Sequence, residues 1–181
     1  MFESFLGNAM EDIKFSITKG QRYKRYLSVE MLIPYSREQV WRVITSYDTL
    51  SEFIPNLVKS HRIPKSDNNF LLELVGSCKI LNFQLSLRTV LEVVENFPFT
   101  IETQMIEGDL QSYFGQWRLE EIGDTRNQTL LSYSAEIVPN LTMPIALLER
   151  QLNRLLPINF LAIRQRLDIL HSANNQIASF K

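Results

Sequence analysis

The last third of the chain constrains the fold more than any other stretch. From Pro144 to His171 the sequence reads helical for about 28 residues, roughly 42 Å at 1.5 Å per residue. Ile145, Leu148, Leu152, Leu155, Asn159, Ile163, Leu167 and Leu170 form one stripe along it. Glu149, Arg150, Asn153, Gln165 and Asp168 lie mostly away from that stripe. A helix this long with one apolar face needs a large partner surface to cover it.

The preceding residues supply that surface. "RYKRYLSVEMLI", Arg22 to Ile33, alternates, with Tyr23, Leu27, Val29, Met31 and Ile33 on one face, as in a half-buried strand. Six further strands are expected at 56–63, 70–80, 81–94, 99–107, 110–121 and 129–138, rich in β-branched and aromatic residues. In "LNFQLSLRTVLEV", Leu81, Phe83, Leu85, Leu87, Leu91 and Val93 face one way. Turn chemistry separates most of these runs: Pro64 to Asn69, Asn96 to Pro98, Gly108-Asp109 and Gly123 to Asn127. Such short connections give hairpins and an antiparallel sheet. Gly115 and Gly76 fall inside strands, where glycine marks a bend or a close approach.

Between the first two strands the pattern is helical. Ser36 is a good N-cap and Gln39 completes a capping box, starting a helix of about ten residues that carries Val40, Trp41, Val43, Ile44 and Tyr47. Asp48 is placed to cap a second, very short helix with Leu50 and Phe53, and Pro55 ends it. The order of elements predicts an α+β domain: a curved antiparallel sheet of about seven strands around a long C-terminal helix. Residues 22–171 form that domain, 1–21 an N-terminal arm with a short helical face (Phe2, Phe5, Leu6, Ala9, Ile13), and 172–181 a flexible tail.

Composition narrows the function. A net charge of −1 gives no footprint for DNA. A single cysteine, Cys78, cannot form an internal disulfide, which fits a reducing compartment, the cytoplasm or an organelle interior. The two histidines, His61 and His171, are far apart, so no metal site and no cofactor is expected. No run of 18 apolar residues occurs, and the N-terminal stretch lacks the basic flank and apolar run of a signal peptide.

Ser51 and Asp48 share one short turn, but no histidine is near them in sequence, and Glu52 reads as a solvated residue. With no paired acid and base, no catalytic residue is assigned. "LLPINFLAI", Leu155 to Ile163, is apolar round most of the helix, more than one sheet face requires. A neighbouring element, a ligand, a membrane or a partner protein would cover the surplus. Pro157 removes one backbone donor there and should bend the helix. Asn159 lies on the stripe facing the sheet, where its amide can pair with a strand residue, hold cavity water or hold a ligand carbonyl. Tyr133 and Trp117 are inward-facing strand positions of the same kind, with core packing as their plain role.

Three quoted stretches resemble the START-like, helix-grip (SRPBCC) superfamily, in the group of polyketide cyclase/dehydrases and coenzyme Q-binding START-domain proteins. "YSREQVWRVITSYDTLSEFIPNLVKS" is similar to that group's strand–helix–helix–strand opening. "YFGQWRLEEIGDTRNQTLLSYSAEI" is similar to its late hairpin, and "LLERQLNRLLPINFLAIRQRLDIL" to its closing helix. The resemblance implies a hydrophobic cavity between sheet and helix. Leu50, Phe53, Ile54, Leu87, Trp117, Tyr133, Leu152, Leu155, Asn159 and Ile163 are the candidate lining residues. The expected function is binding, sequestration or transport of a hydrophobic small molecule of lipid or isoprenoid-quinone type, with peripheral membrane contact open. A polyketide cyclase/dehydratase-type enzyme using the same cavity, and a protein- or ribosome-binding module, are the alternatives.

Overall fold

The computed structural model describes residues 13–65, 70–80, 83–123, 127–141 and 144–179. Eight strands form one antiparallel sheet: β1 (Ile13–Lys19), β2 (Arg25–Ile33), β3 (Leu57–Pro64), β4 (Phe70–Ile80), β5 (Phe83–Asn96), β6 (Thr100–Gly108), β7 (Ser112–Glu121) and β8 (Thr129–Val138). Their order across the sheet is β1-β2-β8-β7-β6-β5-β4-β3. Helix α1 (Arg37–Ile44) and a 3₁₀ turn (Tyr47–Glu52) link β2 to β3, and α2 (Ile145–Ser179) follows β8.

The alternation expected from sequence sets the two sheet faces. Leu27, Val29, Met31 and Ile33 of β2 are buried, as are Leu131, Tyr133, Ala135 and Ile137 of β8. They meet α1 residues Val40, Val43 and Ile44 and α2 residues Leu148, Phe160, Ile163 and Leu167 in one core. Rows of side chains cross the strands in register. Val29, Tyr133, Trp117 and Ile101 make one row; Leu27, Ala135, Gly115 and Thr103 make the next. The capping box at α1 forms as its sequence demands, with Ser36 Oγ accepting from the Gln39 N–H and Gln39 Oε1 accepting from the Ser36 N–H.

Several expectations are corrected. The sheet has eight strands rather than about seven, because Ile13–Lys19 pairs with β2. Ile13, Phe15 and Ile17 pack against the core while Lys14, Ser16 and Thr18 are exposed, a period of two where a helical face was expected. The rest of that helical face, Phe2 to Ala9, lies outside the described residues, as does Leu81, and the side chains of Phe83 and Leu85 are likewise not described. Strand β2 begins at Arg25, so Tyr23 sits exposed in the preceding turn and Arg25 takes the inward position. Arg25 is buried there because its guanidinium pairs with Glu149 of α2. Helix α2 runs through Pro157 and on to Ser179, past the point where a tail was expected.

Asp48 does not cap the 3₁₀ turn. Ser46 holds the N-cap position and makes no side-chain cap bond. Asp48 instead reaches across to β3, accepting from the Arg62 backbone N–H at 2.8 Å and from Arg62 Nε at 2.6 Å. Those bonds hold its carboxyl below the usual carboxylate range, the backbone N–H being the largest cause. The surplus apolar surface of Leu155 to Ile163 is not left bare. Phe160, Leu161, Ala162 and Ile163 are buried, and α2 touches α1 and β1 as well as β2.

Candidate ligand-binding cavity

Helix α2 packs on β1 and β2, and a cavity of about 220 Å³ remains between it and strands β4 to β8. Leu72 and Leu74 (β4), Leu91 (β5), Ile101 and Thr103 (β6), Tyr113 and Trp117 (β7) and Tyr133 (β8) make its sheet wall. Leu156, Asn159, Phe160 and Ile163 of α2 make the opposite wall, and Ile44, Tyr47, Leu50, Ile54 and Leu57 close the side. A second chamber of about 180 Å³ lies against Ile54 to Leu57, Gly76, Ser77 and Leu87 on one side, and Leu148, Gln151, Leu152 and Leu155 on the other. Ile54, Leu57 and Asn159 line both chambers, so they stand between the two.

The candidate residues therefore divide. Leu50, Ile54, Trp117, Tyr133, Asn159 and Ile163 line the larger chamber, and Leu87, Leu152 and Leu155 line the second. Phe53 lines neither. It packs against the core, with the Arg166 guanidinium 5.4 Å above its ring. As the residue ending the 3₁₀ turn, at φ −130° and ψ −22°, it leaves the helical phase that would have aimed it with Leu50.

Sequence reasoning missed Thr103 and Tyr113, which add two hydroxyls to the wall of the larger chamber. Thr103 Oγ1 donates to the Gly115 carbonyl at 3.2 Å and lies 3.3 Å from Tyr113 Oη, which is 2.8 Å from Tyr133 Oη. Gly115 makes this contact possible. It stands two residues from Tyr113 on the same face, and a Cβ there would fall inside contact distance of Tyr113 Oη and 2.8 Å from Thr103 Oγ1. The strand glycine was the available signal: it frees space for a neighbouring side chain to fold over it. Gly76 has no such role, since a Cβ there meets only backbone oxygens at 3.9 and 4.0 Å.

Burial raises the Tyr113 and Tyr133 hydroxyls above the ordinary phenol range, so both stay protonated at neutral pH. Tyr47 also faces the cavity, but its hydroxyl donates outward to Glu95 Oε1 at 2.6 Å. Trp117 stacks on Phe160 with ring centroids 5.5 Å apart and tilts against Tyr133 at 4.6 Å. Among the described residues, neither chamber is lined by Asp, Glu, His, Lys or Arg. Two amide oxygens on α2, Gln151 Oε1 and Asn159 Oδ1, are buried with no hydrogen-bond partner. No helix among the described residues is long and apolar enough to cross a membrane.

Comparison with known proteins agrees with this architecture. The family model described as polyketide cyclase / dehydrase and lipid transport matches residues 33–161. No curated protein matches in sequence. Three solved structures illustrate the likeness in fold. A START superfamily protein from Mycobacterium smegmatis is 15% identical, with a TM-score of 0.66, covering 80% of this chain and 98% of its own. A STAR-related lipid transfer protein from Xanthomonas axonopodis is 16% identical, with a TM-score of 0.67, covering 87% and 94%. The Zhui aromatase/cyclase from Streptomyces sp. R1128 is 12% identical, with a TM-score of 0.65, covering 80% and 94%. The matched residues run from the end of β2 through the middle of α2 and include both walls of the cavity, and the chain belongs to the polyketide cyclase/dehydrase and lipid transport family, with the START-like helix-grip fold.

Proposed function

We propose that the protein binds and sequesters or carries a neutral, hydrophobic small molecule of lipid or isoprenoid-quinone type in the paired chambers. The observation that carries this reading is the lining: apolar side chains, a few neutral polar groups and no charged residue among those described. An apolar cavity of about 150 Å³ holds a benzene ring, so the larger chamber, at about 220 Å³, has room for a substituted ring. The second chamber, at about 180 Å³, has room for part of a chain. Together they reach the size usual for ligand pockets, roughly 300–1,000 Å³. Burying about 300 Å² of apolar ligand surface contributes on the order of 7 kcal/mol before the cost of association.

A cyclase or dehydratase acting in the same cavity is the second reading, favoured by the hydroxyl row of Thr103, Tyr113 and Tyr133 on its wall. Acid–base steps near neutral pH need a group with a matched pKa, whereas the two tyrosines are shifted away from neutrality. Binding is therefore the better-supported function. A protein-binding module has little to support it at 155–163, where much of the apolar surplus is buried.

The test is native mass spectrometry of protein purified from its own source, followed by extraction of any bound lipid. A co-purifying neutral lipid or quinone is the expected result. Ligand at 100 times its Kd should stabilise the fold by about 2.7 kcal/mol, a rise in Tm of roughly 5–10 °C for a domain of this size. Protein that is consistently empty, and gains no thermal stability from lipids or quinones, would sink the proposal.

A further inference from the structure

A third hollow, of about 240 Å³, lies outside the cavity and shares no lining residue with either chamber. It is a cleft between α1, the 3₁₀ turn and the second half of α2. Gln39, Arg42 and Val43 face it from α1, at the i, i+3 and i+4 spacing that puts side chains on one helix face. Arg166, Leu170 and His171 face it from α2. The cleft has an apolar base, since Val43 and Leu167 are buried and the half-exposed Leu170 adjoins them. Among the described residues, two guanidiniums line it and no carboxylate does.

Its polar groups divide into those already spent and those still free. Ser46 Oγ donates to the Val43 carbonyl at 2.6 Å, Thr49 Oγ1 to the Ser46 carbonyl at 3.0 Å, and Tyr35 Oη to Asp168 Oδ1 at 2.6 Å. Those three protons are committed. Gln39 differs, because the capping box holds its Oε1 on the Ser36 N–H and leaves both Nε2 protons without an acceptor among the described residues. Arg42 makes no ion pair or hydrogen bond among the described residues. Arg166 is seated but not used up. Its guanidinium lies 5.4 Å from the Phe53 ring, and Glu52 Oε2 is 3.7 Å from its Nη2, beyond hydrogen-bond range. The neighbouring carboxylates, Glu52 and Asp168, stand on Arg166 and on Tyr35, and neither lines the cleft.

We propose that this cleft is a second binding site, for a small organic anion. The ligand class is a phosphate ester or carboxylate whose oxygens meet Arg42, Arg166 and Gln39 Nε2, and whose apolar part lies on Val43, Leu167 and Leu170. Guanidiniums suit both head groups, because their paired N–H groups match two oxygens at once. An apolar cavity of about 150 Å³ holds a benzene ring, so the cleft has room for a ring and its oxyanion. The site goes beyond the sequestration reading, whose chambers have no charged lining. Its occupant bridges α2 to α1 and the 3₁₀ turn, which also wall the larger chamber through Ile44, Tyr47 and Leu50.

The test titrates the ¹⁵N-labelled full chain with phenyl phosphate, benzoate and benzyl alcohol, read by its backbone amide and arginine Nε–H resonances. Phenyl phosphate or benzoate should give saturable shifts at Gln39 to Thr49 and at Arg166 to His171, and the tighter of the two names the head group. Benzyl alcohol, with the ring and no charge, should bind there at least about ten-fold more weakly. Arg42→Gln should weaken the anion about ten-fold, and Leu170→Glu, which sets a carboxylate in the cleft, should abolish its shifts. Both positions are exposed, so neither change disturbs the core. Equal binding of benzyl alcohol, or an Arg42→Gln variant that binds the anion as well as wild type, overturns the proposal. Shifts confined to cavity residues such as Trp117 and Tyr133 overturn it too, and leave sequestration standing.

Discussion

Tyr113 and Tyr133 join their hydroxyls at 2.8 Å across strands β7 and β8, and they do so over a glycine. The register puts Tyr133 opposite Trp117, and Gly115 opposite Thr103. The Tyr113 ring therefore reaches diagonally over Gly115 to touch both hydroxyls. Gly115→Ala should push that ring away and break the row. Overpacking of this kind costs about 1–3 kcal/mol, a fall in Tm of roughly 2–4 °C for each kcal/mol. Gly76→Ala is the control, since its Cβ meets only ordinary contacts; removing a flexible residue there should be neutral or stabilising by up to about 1 kcal/mol. Thermal melts showing the same change for both variants would refute the steric account.

Asp48 ties the 3₁₀ turn to β3 through two bonds to Arg62. Its folded pKa is depressed, so its contribution is present above the unfolded value, near 3.9, and is lost as pH falls through the lower folded value. The Asp48 side chain is 41% exposed, and with that solvent screening Asp48→Asn should cost no more than about 1 kcal/mol at pH 7. His61 Nδ1 also lies 3.7 Å from Asp48 Oδ1, so the series starts at pH 5: urea unfolding from pH 5 to pH 2 should show a constant gap between wild type and variant down to about pH 4, then a narrowing one. A gap that widens in acid would contradict the assignment.

Arg25 and Glu149 clamp β2 to the first turns of α2. The Arg25 side chain is only 9% exposed, and its Nη1 also donates to the Lys24 carbonyl at 2.8 Å. Removing one partner strands the other's charge, so Glu149→Leu should cost about 2 kcal/mol or more. The pair Arg25→Met with Glu149→Leu should cost less than the sum of the single changes. Denaturant midpoints for the four proteins of that cycle give the coupling directly, and additive losses would mean the pair contributes nothing.

The same contact explains what the sequence could and could not yield. Apart from the junction of β4 with β5, strands β3 to β8 are bounded by Pro, Gly and Asn clusters, and their ends fall within a few residues of those breakers. Arg25 breaks the apolar alternation of β2, and its justification lies 124 positions away. Strand β1 is half-exposed and its pairing with β2 decides its state, so its local pattern competed with a helical face. In the cavity, stripe residues such as Asn159 and Ile163 follow from helical phase. Thr103 and Tyr113 matter through the direction of their hydroxyls, and that direction depends on the void at Gly115 and on cross-strand register.

Asn159 should be replaceable at a gain in stability. An orphaned buried acceptor costs about 1–3 kcal/mol relative to a satisfied one, and Asn159 Oδ1 is such an atom. Leucine has nearly the same shape and faces Leu156, Phe160 and the apolar sheet wall there. Asn159→Leu should therefore raise the stability of the empty protein by about 1–2 kcal/mol, or roughly 2–8 °C in Tm. Gln151→Leu should behave similarly but more weakly, because its chamber is also bordered by the exposed Pro55 and Asn56. Differential scanning calorimetry of the delipidated proteins measures both changes. A lower Tm for Asn159→Leu would mean that the amide is already satisfied in the empty cavity, and that its place on the stripe is structural.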